Sequence, residues 1–187
     1  MLFRTTLGPL RILALGVFLA AAASGSGCKK RAPETISDPV AGATIVLPSG
    51  FKSGPIPGAS SEAQLAFRLQ ASNVFKDIGV GVISESKADM VESYTLDSYT
   101  RLVTKKREAA LQDFRLESEV QNKVCDGSPC LEQRFSAKAT TVRIAYIVTI
   151  VETAKAFHQV ITWTSPSRLA TNQADMKSIH DSFREAK

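Results

Sequence analysis

The chain has 187 residues, 44% of them apolar and 22% charged, with a formal net charge of +5. This balance excludes a disordered tail and a collagen-like fibre and fits one ordinary domain. Residues 1–27 hold Arg4 and Arg11 but no acid, so without them 160 residues remain with 21 bases, 18 acids and a net charge of only +3.

Arg4 and Arg11 precede an apolar run from Ile12 to Ala23 (ILALGVFLAAAA), followed by the small residues Ser24, Gly25, Ser26 and Gly27. As a helix the run spans only ~18 Å, short of a ~30 Å hydrocarbon core. Residues 1–27 therefore read as a secretory signal peptide rather than a membrane span. The stretch Gly25-Ser26-Gly27-Cys28 resembles the lipobox of bacterial lipoproteins. That resemblance implies that Cys28 is acylated and becomes the new N-terminus. The alternative is an ordinary signal cut near Ala23 or Gly27, with Cys28 a bystander. The cysteine count favours the lipid: of three cysteines, an acylated Cys28 leaves Cys125 and Cys130 as an even pair. Two or three acyl chains, at ~0.8 kcal/mol per buried methylene, hold a domain at a membrane. Lys29, Lys30 and Arg31 beside the anchor either attract anionic lipid or begin a solubilising tether. In lipoproteins an aspartate after the cysteine retains the protein at the inner membrane, so Lys29 points to the outer one.

Residues 28–41 are polar, contain Pro33 and Pro39, and read as a lipidated flexible tether to a domain over 42–187. Ala43–Leu47 is a β-rich run stopped by Pro48, Ser49 and Gly50, with Phe51 next. A Gly/Pro-rich loop over Ser53–Ser61 follows, then expected strands at Ala63–Gln70 and Ile78–Glu85. Over Thr95–Gln112 the apolar residues take helical spacing, with Thr95 as cap and Asp97 in the first turn. Lys105, Lys106 and Arg107 read as a solvated face of that helix rather than a nucleic-acid patch.

Strict alternation returns over Phe114–Cys125 and Cys130–Lys138. Phe114, Leu116, Val120 and Val124 mark the inward side, and both cysteines fall on the polar sides. Asp126-Gly127-Ser128-Pro129 is read as a four-residue turn closing a hairpin at Cys125 and Cys130. That register opposes Lys123 to Glu132, Glu117 to Lys138 and Val120 to Phe135. A Cys125–Cys130 disulfide follows for an exported chain. The competing reading is a redox or zinc pair, although the spacing is not Cys-x-x-Cys. Val142–Glu152 is apolar almost throughout, as in a central strand covered on both faces. Ala156–Thr164 is its antiparallel successor, and a helix over Leu169–Glu185 carries Leu169, Met176, Ile179 and Phe183 on one stripe.

Several segments carry a wider likeness: Leu47-Pro48-Ser49-Gly50-Phe51, the helix start Leu96-Asp97-Ser98-Tyr99, the hairpin bearing Gly127, and the terminal Ile179-His180-Asp181-Ser182-Phe183. In their order they resemble the fold of the PsbP proteins, the Mog-type Ran-binding proteins and bacterial lipoproteins such as DcrB and LpqN, over about Ala43 to Phe183. The resemblance implies an α+β domain, an α/β/α sandwich with an antiparallel sheet of six to seven strands and helices on its faces. It also implies binding or support of protein assemblies, with no shared active site.

Catalytic, cofactor and metal sites are not expected. His158 and His180 have no matched nucleophile and read as structural or exposed. Gly79-Val80-Gly81 lacks the third glycine and the following helix of a nucleotide loop, and reads as close packing of a strand under a helix. Asp175 and Asp181 lie on the terminal helix as surface carboxylates. The function this supports is a non-enzymatic envelope lipoprotein that meets the membrane through Cys28 and an unidentified protein partner, but no nucleic acid, with a surface patch near the Gly54–Gly58 loop. The alternative is a small-ligand carrier or hydrolase using a cleft between sheet and helix.

Overall fold

Two antiparallel sheets share the chain unequally. The computed structural model describes residues 32–56, 61–139 and 141–186. In chain order the elements are β1 (Glu34–Asp38), β2 (Ala43–Leu47), β3 (Lys52–Ser53), α1 (Ser61–Ala66), β4 (Leu69–Asn73) and β5 (Ile78–Ser86). Then come α2 (Leu96–Ala110), β6 (Gln112–Leu116), β7 (Gln121–Cys125), β8 (Ser128–Ala139), β9 (Val142–Glu152), β10 (Ala156–Thr164), α3 (Leu169–Asp181) and β11 (Arg184–Glu185). The large sheet runs β3-β4-β5-β10-β9-β8-β6, with β7 paired to β8, and the small sheet runs β1-β2-β11.

The large sheet separates two cores. On one face α2 lays Tyr99 and Val103 against Phe135, Tyr146, Val148 and Phe157. On the other, α3 and the small sheet bring Met176, Ile179, Phe183, Ile45 and Leu47 against Val80, Ile147 and Val160. Covering both faces explains why β9 reads as a nearly continuous apolar run. The start of α2 is fixed locally: the Thr95 side chain accepts from the Ser98 N–H, and the Ser98 side chain accepts from the Thr95 N–H. The fold is thus α+β with an antiparallel sheet between layers, and one of those layers is a helix and a second sheet together.

Four expectations are corrected. The stretch expected as a tether up to residue 41 includes a strand, because Glu34–Asp38 pair with Leu47–Ala43 as β1. The segment Ala63–Gln70 is the end of helix α1 followed by the start of β4. The β7–β8 hairpin is shifted by two residues: Cys125 faces Ser128, Lys123 faces Cys130 and Gln121 faces Glu132. The turn is only Asp126-Gly127, at φ of 51° and 78°, the two positive values of a type I′ turn. Glu117 and Val120 do not face Lys138 and Phe135; Leu116 faces Phe135 and Gln112 faces Lys138 across a bulge. Finally, Gly79 and Gly81 lie under aromatic rings, Trp163 and Phe67, rather than under a helix.

The expected signal peptide, Cys28, Lys29, Lys30, Arg31 and residues 57–60 of the expected surface loop lie outside the described residues.

Candidate functional site

The disulfide hairpin forms one wall of a cleft of about 260 Å³. Cys125 and Cys130 are joined, with their Cα atoms 5.9 Å apart. In the observed register the bridge runs diagonally, from the partner of Ser128 to the partner of Lys123. Glu132 and Thr149 from β8 and β9 line the cleft with Lys123, and His180, Asp181 and Arg184 close it from α3 and β11. The β8 side that reads as polar is therefore covered: Cys130, Glu132 and Ser136 are all buried.

Burial of these polar groups is compensated by specific partners, as it must be. Lys123 donates to Glu132, and Arg134 lies 3.7 Å from the same carboxylate. Ser136 donates to Glu117 at 2.6 Å and accepts from Arg143 at 3.0 Å. Arg184 pairs with Asp126 at 3.3 Å, tying β11 to the hairpin turn.

His180 is buried, with Nε2 2.8 Å from Thr162 Oγ1. Burial holds its imidazole far below the usual range, at about 4, so it is neutral at pH 7. Its Nδ1 and the Thr149 hydroxyl lack a protein hydrogen-bond partner. These two groups are not bonded to one another, so the cleft holds two orphan polar atoms and not a nucleophile–base pair. Among the described residues no group of three His, Cys, Asp or Glu side chains is placed to hold a metal ion.

The other residues singled out from the sequence are dispersed. His158 is buried on β10, with Nδ1 2.9 Å from Ser84 Oγ and its ring 5.1 Å from Phe183. Burial lowers its pKa as well. Asp175 pairs with Lys76, and Asp181 with Lys177.

Arg107 corrects the reading of its helix. Lys105 and Lys106 are exposed, whereas Arg107 is buried and donates to Gln159. Gln159 in turn donates to Tyr99 Oη at 2.7 Å, and Tyr99 stacks on Phe157 at 4.2 Å. Desolvation lowers Arg107 to about 10 and pushes the Tyr99 phenol up. This network was invisible in the sequence because Arg107 belongs to a basic triplet; only its position four residues after Val103, on the buried side, distinguishes it.

Large apolar side chains remain in solvent at the sheet edge. Leu116, Val120 and Val124 are exposed, Val124 to 75%, although alternation turns them to the α2 side. Val74 and Phe75 stand out on the β4–β5 turn, and Leu65 and Val91 elsewhere.

Neither a protein-family model nor a curated protein matches the sequence. Solved structures do match. The cyanobacterial PsbP of Synechocystis superposes with a TM-score of 0.61 over 88% of this chain and 98% of that one, at 14% identity. LpqN of Mycobacterium tuberculosis, involved in cell envelope biogenesis, gives 0.54 over 75% of this chain and 81% of its own, at 10% identity. A Bacteroides thetaiotaomicron protein gives 0.55 over 83% of this chain and 49% of that one, at 9% identity. The chain therefore carries an α+β domain with the fold of PsbP and LpqN.

Proposed function

We propose that this chain is a non-enzymatic binding or assembly-support module of the bacterial cell envelope, anchored through lipid on Cys28 and facing the periplasm, at the outer membrane. The observation that carries the binding role is a contrast between polar and apolar groups. Buried charges such as Glu132 and Arg107 are turned inward to internal partners, Lys123 and Gln159, while Leu116, Val120 and Val124 are left in water on an edge of the large sheet. An apolar edge of this kind suits a protein partner. The envelope role of LpqN agrees with this reading, as do the lipobox-like Gly25–Cys28 stretch and the even cysteine pair that remains.

Two measurements test it. Intact mass of the membrane fraction is expected to show acyl groups on Cys28; their absence would defeat the anchor. A photocrosslinking residue at Val124 is expected to capture a discrete envelope protein that the same probe at exposed Lys105 does not. Identical adducts at both positions would defeat a specific edge.

The carrier or hydrolase alternative draws on one observation, the unpartnered His180 Nδ1 and Thr149 Oγ1 at the cleft. It expects a small polar molecule retained in native mass spectra and lost in Thr149→Val.

A further inference from the structure

The Val74–Asp77 turn joins β4 to β5 and carries Phe75, 88% exposed, beside Val74, 49% exposed. Exposed aromatic residues at loop tips usually accompany slack backbone, but this turn is tied down on three sides. Asn73 Oδ1 accepts from the Lys76 N–H at 3.1 Å. Arg168 donates to the Phe75 carbonyl at 2.9 Å and Asn172 to the Lys76 carbonyl at 2.6 Å. The Asp77 carboxylate accepts from the Ser165 N–H at 3.0 Å. The protein thus spends several partners on holding an apolar tip out in solvent.

The N-terminal chain leaves the domain beside this same tip. Strand β1 runs opposite to β4: Asp38, at its end, pairs with Arg68 just before β4 at 3.2 Å. Glu34, at its start, accepts from Ser53 at 2.8 Å, and Ser53 faces Ala71 farther along β4. Glu34 also faces Leu47, and the turn after Leu47 brings Gly50 so near Asn73 that a Cβ there would lie 3.1 Å from Nδ2. Phe75 lies four residues past Ala71, roughly 13 Å along the strand direction. Cys28 precedes Glu34 by six residues, and six residues reach at most about 21 Å. A bilayer holding an acyl chain on Cys28 is therefore within reach of Phe75.

Charge agrees with this geometry. Two exposed bases adjoin the turn, Lys52 opposite Ser72 and Arg168 bonded to the Phe75 carbonyl, and Lys76 is half-exposed though paired with Asp175. Lys29, Lys30 and Arg31 add three bases to the connecting chain. The opposite end of β5 leads to Val91, 97% exposed but a whole nine-residue strand away.

Resting on the anchored reading above, we infer that the Val74–Phe75 turn is a second membrane contact: it inserts into the anionic bilayer that holds Cys28 and fixes the domain's orientation on it. The remainder of the surface, including the Leu116–Val124 edge, then faces the periplasm.

The test uses the full lipidated protein in vesicles of phosphatidylethanolamine and phosphatidylglycerol with brominated acyl chains. Phe75→Trp is compared with Val91→Trp, the parent protein giving the background from buried Trp163. Expected is a blue-shifted emission that the brominated chains quench for Phe75→Trp and not for Val91→Trp. Val74→Trp repeats the measurement should Phe75→Trp lose its near-ultraviolet dichroism. Flotation with the vesicles but unquenched emission at both turn positions overturns the insertion and leaves the anchor standing, as for a turn that meets a protein. Equal quenching at Phe75→Trp and Val91→Trp overturns the orientation. Failure to float, with no acyl mass on Cys28, overturns the anchor and the insertion together.

Discussion

Trp163 lies across Gly79 so closely that a Cβ on residue 79 would sit 2.1 Å from the indole Cε2. The two face each other in the β5–β10 ladder. Phe67 covers Gly81 in the same way, at 2.3 Å, and its ring stacks on Trp163 with centroids 6.0 Å apart. The missing side chains are what make room for the two rings on the sheet.

Gly79→Ala is therefore expected to displace the indole and cost about 1–3 kcal/mol by overpacking. Trp163 is the single tryptophan, so its emission reports the change directly. Gly127→Ala is a useful contrast: nothing lies within 4 Å of its Cβ, but its φ is 78°. It is expected to cost about 1–2 kcal/mol through backbone strain alone, leaving the Trp163 spectrum as it was. An unchanged Trp163 spectrum in Gly79→Ala would show that the indole is not packed on Gly79.

His180 makes stability depend on acid. Its ordinary pKa of 6.5 falls to about 4 in the folded protein through burial. A lowered base pKa means that unfolded chains take up the proton first. Stability is therefore complete above pH 6.5 and declines as the pH falls toward 4, by on the order of 3 kcal/mol across that window. His158, lowered by the same cause, adds to the slope in the same direction. Urea midpoints at about pH 7 and pH 4.5 measure the loss, and His180→Gln is expected to reduce it. An unchanged slope would show that His180 is not the group responsible.

The hairpin disulfide closes a ring of six residues, which corresponds to about 2 kcal/mol in the chain-entropy account. Replacing both Cys125 and Cys130 with Ser is expected to lower stability by that amount without loss of fold. The Asp126-Gly127 turn and the Lys123–Glu132 pair hold the same hairpin through contacts that involve neither sulfur. Intact mass should rise by two hydrogens when the parent protein is reduced, and denaturant titration measures the stability change.

Arg107 is the buried base whose removal should be felt. Arg107→Met leaves the Gln159 carbonyl oxygen without its charged donor and is expected to cost about 1–3 kcal/mol. Lys105→Met, two residues earlier on the exposed side, should stay within about 0.5 kcal/mol. Equal effects in denaturant titration would count against the Arg107–Gln159–Tyr99 network.

The parts of the fold that could be read from the residues are those fixed by local chemistry. β2 and β9 fall where their apolar runs begin and end, β10 falls between the turns that flank it, and Thr95 caps α2 as its position suggests. What was missed depends on distant partners. Glu34–Asp38 is a polar pentapeptide that becomes a strand because β2 offers it an edge. The hairpin slipped by two residues because such a slip keeps every side chain on its own face, so the alternation could not choose between registers. Alternation also turns Leu116 and Val124 toward α2, but it carries no information about how far the helix extends to cover them. The cleft needs residues from five elements separated by some sixty positions, from Lys123 to Arg184, and no local pattern records that meeting.

The small sheet also sets a timetable for folding. Its central strand β2 lies near the start of the domain, yet one neighbour, β11, is Arg184–Glu185, paired with Thr44 and Ala43. Ser182 adds a bond to the Val46 N–H at 2.9 Å. β2 therefore meets its second edge only through residues some 140 positions away. Pairing across that separation is a non-local contact of the kind that slows folding, so the small sheet is expected to close after the large one has brought its strands together.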